Sequence, residues 1–218
     1  MRCPPVAVRA AAFRSVILDL IAPPLCWSCG APAVGGEPLC FPCRRALRFL
    51  PSTPVGLGGV EVWAAVAYDG PAASLVKALK FRGATAIAGW MAALIVANAP
   101  AGILAGALVP VPLHPARRRT RPFNQAELIA EAIFARTHLP VLDWLRRTGP
   151  DHRQVGRGRT ARLSGAGPIE ALGRSPPKAL LVDDVVTTGA TLAACAGALR
   201  NAGADRVAAV TFARTAGR

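Results

Sequence analysis

Acidic residues, aromatic residues and histidines are all scarce in this chain. Of its 218 residues only 12 are Asp or Glu and 3 are His, and aromatic residues make up 6%. So few aromatic rings disfavour an extended platform for stacking nucleic acid bases. The histidines His114, His138 and His152 lie in regions without a helix or strand pattern, so none is an evident general base.

Basic residues are abundant by contrast. The 26 Lys and Arg give a net charge of +14 and a pI near 11.2. This balance favours an anionic partner, which could be nucleic acid, a phosphorylated metabolite or an acidic membrane surface. A hydrophobic fraction of 52% is enough to bury a sizeable core and excludes a disordered chain.

The sequence shows no clean membrane span or export signal. Arg9, Arg14 and Asp19 interrupt the apolar run over residues 6–25, and a double proline precedes its last residue. We therefore predict a short amphipathic helix there and a cytoplasmic location, where disulfides are rare.

Four of the six cysteines form two CxxC pairs separated by ten residues: Cys26, Cys29, Cys40 and Cys43. This spacing is typical of two knuckles that hold tetrahedral zinc. Four thiolates leave no open coordination position, so the zinc would be structural. Two disulfides or a redox CxxC are the alternatives. Cys195 lies in an apolar helical pattern and is predicted to be a small core residue.

Short apolar runs alternate with helical patterns from residue 60 onwards. The predicted strands are Val60–Tyr68, Ala107–Val111, Ala179–Val182 and Arg206–Phe212. The predicted helices are Pro71–Lys80, Ala84–Asn98, Asn124–Arg136 and Ala190–Asn201. This alternation predicts an α/β fold with a mostly parallel sheet. We divide the chain into an N-terminal zinc module over residues 1–50, which ends in a basic helix Arg44–Phe49, a Pro/Gly-rich linker over 51–59, and an α/β domain over 60–218.

The segment between Arg146 and Gly173 has no periodic pattern. Its glycines separate six arginines: Arg146, Arg147, Arg153, Arg157, Arg159 and Arg162. Long unpatterned loops inside domains are usually functional or disordered. We predict a mobile lid or anion-binding loop.

The segment Ala179–Thr191 joins an apolar strand, two adjacent acids and a Thr/Gly-rich turn that opens a helix. The free N–H groups at a helix N-terminus attract a phosphate, and Gly189 permits close approach of the chain. Asp183 and Asp184, at the end of a buried strand, suit the hydroxyls of a ribose or a metal. The alternative is an Asp N-cap followed by a turn without a ligand. No Gly-Lys-Ser/Thr follows, so a Walker A loop is excluded.

This segment resembles the phosphoribosyl-diphosphate motif of type I phosphoribosyltransferases, and together with the cysteine pairs the chain resembles the ComF family. Three further segments carry the resemblance: Leu79–Gly83, Val109–Arg119 and Phe123–Gln125. The resemblance covers most of residues 18–214.

The resemblance implies roles for several residues. Asp183 and Asp184 would hold the ribose hydroxyls. The 5-phosphate would be wrapped by Val186, Thr187, Thr188, Gly189, Ala190 and Thr191. The diphosphate, with its Mg²⁺, would face Lys80, Arg117, Arg118 and Arg119. Two departures from the family pattern stand out: Pro122 replaces a usual glycine and removes a backbone N–H, and the segment after Gln154 lacks the usual Arg-x-x-Asn.

Two functions follow as hypotheses. The first is an enzyme in which an unidentified acceptor displaces diphosphate from phosphoribosyl diphosphate. The second is a competence-related accessory protein that binds single-stranded DNA and an uptake helicase, with the pocket regulatory or vestigial. The net positive charge favours the second hypothesis, whereas the scarcity of aromatic residues counts against it.

Overall fold

The computed structural model describes residues 24–113, 122–148 and 168–216. Its strands are β1 Val55–Leu57, β2 Val60–Ala67, β3 Ala107–Pro110, β4 Leu145–Arg147, β5 Ile169–Ala171, β6 Lys178–Val186 and β7 Arg206–Arg214. Its helices are α1 Phe41–Arg45, α2 Gly70–Phe81, α3 Ala86–Asn98, α4 Gln125–Thr137 and α5 Ala190–Asn201.

Five strands form one sheet in the order β1-β2-β7-β6-β3. The pairs β2·β7, β7·β6 and β6·β3 are parallel, whereas β1 runs antiparallel to β2 at the edge. Strands β4 and β5 form a separate antiparallel pair. The predicted α/β fold with a mostly parallel sheet is confirmed. In such a sheet the carboxyl ends of the parallel strands meet at one edge, where ligands bind.

Both faces of this sheet are buried, because its central strands are apolar on both sides. On β6, Leu180 and Val182 pack with α2, α3 and α4, while Leu181 packs with α5 on the opposite face. The same alternation on β7 places Phe212 in the layer of α2, α3 and α4, and Ala209 in the layer of α5. The side-chain period of two therefore determines which layer each residue at the end of β6 faces.

The predicted basic helix over Arg44–Phe49 is wrong in position. The helix begins after Cys40 with a proline in its first turn and ends at Arg45. The chain beyond it is extended and pairs with β2: the N–H of Leu50 donates to the carbonyl of Ala65. Pairing with the sheet competes successfully with the weak local preference for helix in this basic segment.

Two segments that we expected to lack regular structure contain strands. Val55–Leu57, within the predicted linker, forms the edge strand β1. Arg146 and Arg147, at the start of the predicted lid, belong to β4 and pair with Glu170 and Ile169 of β5. Three-residue strands are too short to show an alternating pattern in the sequence.

The predicted amphipathic helix over residues 6–25 falls almost entirely outside the described residues, as do the remaining lid arginines Arg153, Arg157, Arg159 and Arg162. Within the described ranges, no helix has the length and apolar character needed to cross a membrane.

Candidate ligand-binding site and cysteine cluster

The paired cysteines meet in one small cluster: Cys26, Cys29, Cys40 and Cys43. Their Sγ atoms all lie within 4.8 Å of one another, and those of Cys29 and Cys40 are 3.6 Å apart. Tetrahedral zinc with Zn–S bonds of about 2.3 Å requires sulfur atoms roughly 3.8 Å apart. The cluster therefore has the donor set and the size to hold a zinc ion, with no coordination position left for a substrate.

Local backbone structure brings these sulfurs together. The N–H of Gly30, at φ 76°, donates to the carbonyl of Cys26 and closes the first knuckle, and the N–H of Arg44 donates to the carbonyl of Cys40 at the start of α1. Burial and the adjacent thiols raise the pKa of the Cys43 thiol to about 12. Several thiolates crowd one another unless a cation lies between them.

The cysteine cluster is packed onto the α/β domain. Cys26 and Cys40 belong to the same buried core as helices α2, α3 and α4. The indole Nε1 of Trp90, on α3, donates a 2.7 Å hydrogen bond to Oε2 of Glu37, which lies between the two cysteine pairs. Loss of the cluster would thus expose part of the domain core.

Two adjacent carboxylates lie near the end of β6 and face opposite layers. Asp184 follows the register of Val182 and faces the layer of α2, α3 and α4, where it is only 4% exposed. Asp183 follows the register of Leu181 and faces the layer of α5, and its Oδ1 accepts a 2.8 Å hydrogen bond from the N–H of Asp184. The two carboxylates therefore have different surroundings on the two sides of the sheet.

Lys80, in the last turn of α2, neutralises one member of the pair. Its Nζ lies 2.7 Å from Oδ2 of Asp184, and the lysine side chain is only 20% exposed. Among the described residues, no other group forms a hydrogen bond to that oxygen. The ammonium thus compensates a buried charge that would otherwise be costly.

Asp183 has no such cation in direct contact within the described residues. Burial, and then the neighbouring charge of Asp184, raise the pKa of Asp183 to about 8, although Lys80 partly opposes the increase. The two carboxyls thus have different surroundings: Asp184 is ion-paired with Lys80, whereas burial dominates at Asp183 and raises its pKa.

The Thr/Gly turn after β6 leads directly into helix α5. Gly189 has φ 79°, which glycine adopts readily, and it begins α5. Thr187 and Thr191 line the adjacent cavity. Thr188 is exposed, with its Oγ1 accepting a 3.4 Å hydrogen bond from the N–H of Ala190. Val186 packs into the core beside α5.

The acidic pair, Lys80 and two threonines near the start of α5 lie around one cavity of about 380 Å³. It is lined by Tyr68, Lys80, Val111, Pro112, Leu113, Asn124, Gln125, Arg147, Asp183, Asp184, Val185, Thr187 and Thr191. The structure brings together five of the residues expected to contact the ligand: Lys80, Asp183, Asp184, Thr187 and Thr191. Arg117, Arg118 and Arg119, expected at the diphosphate, lie outside the described residues.

Several lining residues were missing from the predicted site. Asn124 caps α4 by accepting from the N–H of Ala126 and donates to the carbonyl of Val111, which ties the helix to the end of β3. Nε of Arg147 donates a 2.9 Å hydrogen bond to the carbonyl of Pro112. The sequence places Asn124 at the start of a predicted helix and Arg147 in the predicted lid or anion-binding loop, but it assigns neither residue to this cavity.

Comparison with known proteins gives a nearly full-length similarity. No family model matches the chain. The chain is 31% identical over 226 residues to the DNA utilization protein YhgH of Escherichia coli (strain K12), an alignment that covers 90% of this chain and 99% of that protein. It is 34% identical over 87 residues to the competence protein ComFC of Bacillus subtilis, which covers 39% of this chain and 34% of that protein.

A third relative extends this pattern. The chain is 31% identical over 107 residues to competence protein F of Haemophilus influenzae, covering 46% of this chain and 47% of that protein. The four-cysteine cluster, the parallel sheet and the similarity along almost the whole chain agree with one another, and the chain belongs to the ComF family.

Proposed function

We propose that the cavity at the carboxyl end of β6 binds phosphoribosyl diphosphate. The observation that carries this proposal is the convergence of an acidic pair and a helix N-terminus on one cavity: Asp183 and Asp184 lie near the end of β6, shortly before the turn that opens α5. A ribose carries two neighbouring hydroxyls and a 5-phosphate. The acids suit the hydroxyls and the helix N-terminus suits the phosphate.

The phosphate end of the ligand would lie against the turn before α5. The first N–H groups of a helix have no partner within the helix, and the helix dipole places partial positive charge there. Thr187 and Thr191 add hydroxyl donors at the same wall of the cavity. With no Cβ at Gly189, the backbone of the turn can approach a phosphate closely.

The diphosphate end would lie beside a cation that lines the cavity, Arg147. We propose that Arg117, Arg118 and Arg119 approach it there, together with a Mg²⁺ ion that travels with the ligand. In the transfer reaction, the bond between ribose C1 and diphosphate breaks while an acceptor atom forms a new bond to C1. Cations near the leaving group would stabilise the charge that develops on it.

The experiment is a ligand series followed by thermal shift and calorimetry. Phosphoribosyl diphosphate and ribose 5-phosphate should raise the melting temperature, whereas ribose alone should have little effect because it lacks the phosphate. Transfer would be measured separately as diphosphate release in the presence of candidate nucleobase acceptors. A folded protein that binds neither phosphorylated sugar contradicts the proposal.

We propose single-stranded DNA binding by the cysteine module as a second function. Phe41 is 63% exposed and Phe49 is 50% exposed, and the guanidinium of Arg45 lies 5.7 Å from the centre of the Phe41 ring. Exposed aromatic rings beside arginines are the groups that bind single-stranded nucleic acid. The names of the relatives, which refer to DNA utilization and competence, point in the same direction.

Titration with a labelled oligonucleotide across a range of salt concentrations tests this second function. Phe41→Ala should weaken binding by roughly tenfold, since stacking contributes about 1–3 kcal/mol per base. Phe134→Ala is the matched control, because Phe134 is also exposed but lies on α4. Equal losses in the two variants, or binding that does not weaken with salt, would exclude the module as the DNA-binding surface.

A further inference from the structure

We propose that Lys80 takes the place of a divalent cation beside the acidic pair, so that the site recognises the ribose 5-phosphate part of its ligand without a metal ion. This inference rests on the proposed function and concerns the same cavity. Only the diphosphate part of the ligand would then require Mg²⁺.

The position of the lysine is fixed by the fold. Lys80 follows Leu79, which is fully buried, and Leu75 one turn earlier is also fully buried, so α2 is held against the sheet. The side chain reaches the edge of the sheet at the end of β6, where its Nζ contacts Oδ2 of Asp184 at 2.7 Å. A helix with one buried face thus delivers a cation to the carboxylate before any ligand binds.

The acidic pair already has a cation beside it. Among the described lining residues the charged groups are Asp183, Asp184, Lys80 and Arg147, and Lys80 is ion-paired with Asp184. A Mg²⁺ ion placed at the acidic pair would have a lysine ammonium as its immediate neighbour. A neutral sugar diol adds no charge beside that ammonium.

The described part of the site offers a metal ion few protein ligands besides the acidic pair itself. Mg²⁺ prefers six oxygen ligands in octahedral geometry. Within the described residues, the only group of three or more potential metal-ligating side chains is the cysteine cluster. Among the residues that the structure describes, no third carboxylate or histidine joins the acidic pair in such a group. A lysine ammonium carries three N–H donors for carboxylate and ligand oxygens.

The test is calorimetric titration with ribose 5-phosphate, which lacks the diphosphate that would itself recruit Mg²⁺. Each protein is titrated in buffer freed of divalent cations and again with added Mg²⁺. No chelator is added, because it would remove zinc from the cysteine cluster. For the wild type, the two dissociation constants should agree within about twofold.

Three variants make the test specific. Lys80→Met should bind ribose 5-phosphate at least about tenfold more weakly in metal-free buffer and should recover part of this loss on addition of Mg²⁺. Lys80→Arg keeps the positive charge, so any binding it retains should not depend on Mg²⁺. Lys77→Met is the matched control, since Lys77 is exposed on the same helix and should behave as the wild type.

The outcomes separate the two proposals. Wild-type binding that tightens more than about tenfold with Mg²⁺ overturns the role of Lys80 and leaves the ligand assignment standing. Equal metal-free binding by folded Lys80→Met and wild type also overturns it. A folded wild type that binds no ribose 5-phosphate in either buffer overturns both the inference and the proposed function. If Lys80→Met does not fold, the wild-type comparison with and without Mg²⁺ still decides the matter.

Discussion

Gly189 lies in contact distance of Leu57: a Cβ atom added to Gly189 would lie only 2.8 Å from the Cβ of Leu57. The turn proposed to bind phosphate is therefore covered on one side by the edge strand β1. The same holds for Gly58, which follows Leu57: a Cβ atom added to Gly58 would lie 2.8 Å from the Cβ of Ala193 on α5. The segment expected to be a linker thus contributes to the shape of the site.

Gly189→Ala should destabilise the protein and weaken binding of phosphoribosyl diphosphate. The left-handed conformation costs an alanine about 1–2 kcal/mol, and the contact with Leu57 adds strain. Leu57→Gly removes the Cβ that a Gly189→Ala side chain would meet, so the combination should relieve that contact but not recover the conformational part of the loss. Chemical unfolding and calorimetry would measure the two effects.

Gly197→Ala is the control for this prediction. It lies within the same helix, its added Cβ would meet no atom within 4 Å, and alanine should stabilise the helix by about 0.5–1 kcal/mol. If both substitutions stabilised the protein, the close approach of β1 to the turn would be wrong.

The order of strands and helices could be predicted from the sequence because long elements carry strong periodic patterns. The α5 helix has the predicted bounds, Ala190–Asn201, since a glycine and an apolar stripe mark its start and course. Strand β6 extends to Val186, beyond the predicted end at Val182. Asp is rare in strands, so the two acids at positions 183 and 184 indicated that the strand ends before them. In the structure, pairing with β7 continues past both acids.

Zinc should be present at one ion per chain and should stabilise the whole protein. Cys40→Ser combined with Cys43→Ser should abolish zinc binding and lower the melting temperature, because the cluster shares a core with α2, α3 and α4. Metal analysis and thermal unfolding are the measurements. Cys195→Ala is the control: Cys195 is buried on α5, outside the cluster, and its loss should leave the zinc content unchanged.

The pairing of Lys80 with Asp184 could not be predicted from the sequence. The resemblance to the family implied that Lys80 faces the diphosphate, whereas the structure places its ammonium on Asp184. Such a contact depends on how α2 packs against β6, which no local pattern encodes. The cysteine cluster is the opposite case, because its ligand spacing is local and the four sulfurs could be grouped from the sequence alone.

The stability of the empty protein should fall with rising pH because of Asp183. Burial and then Asp184 raise the folded-state pKa of Asp183 to about 8, from 3.8 for an ordinary Asp. Between these two values the folded protein retains a proton that the unfolded chain has lost. The resulting stability is fully present below the unfolded pKa and disappears as the pH rises through about 8.

Asp183→Asn removes this contribution, so unfolding free energies of both proteins at about pH 5 and about pH 8 provide the measurement. The wild type should lose stability relative to Asp183→Asn over this interval, whereas Asp205→Asn, at an exposed position, should follow the wild type. If the difference in unfolding free energy between the wild type and Asp183→Asn stayed constant with pH, this result would contradict the raised pKa of Asp183.

The most direct measurement is calorimetric titration of phosphoribosyl diphosphate, with Mg²⁺ present, into the wild type, the Asp183→Asn, Asp184→Asn double variant and the Asp205→Asn control. Charge-assisted hydrogen bonds contribute roughly 1.5–3 kcal/mol each, so the double variant should bind at least about tenfold more weakly while remaining folded. The control should match the wild type. Equal affinities for the wild type and the double variant, or no binding by folded wild type, would contradict the assignment of this cavity to a ribose phosphate.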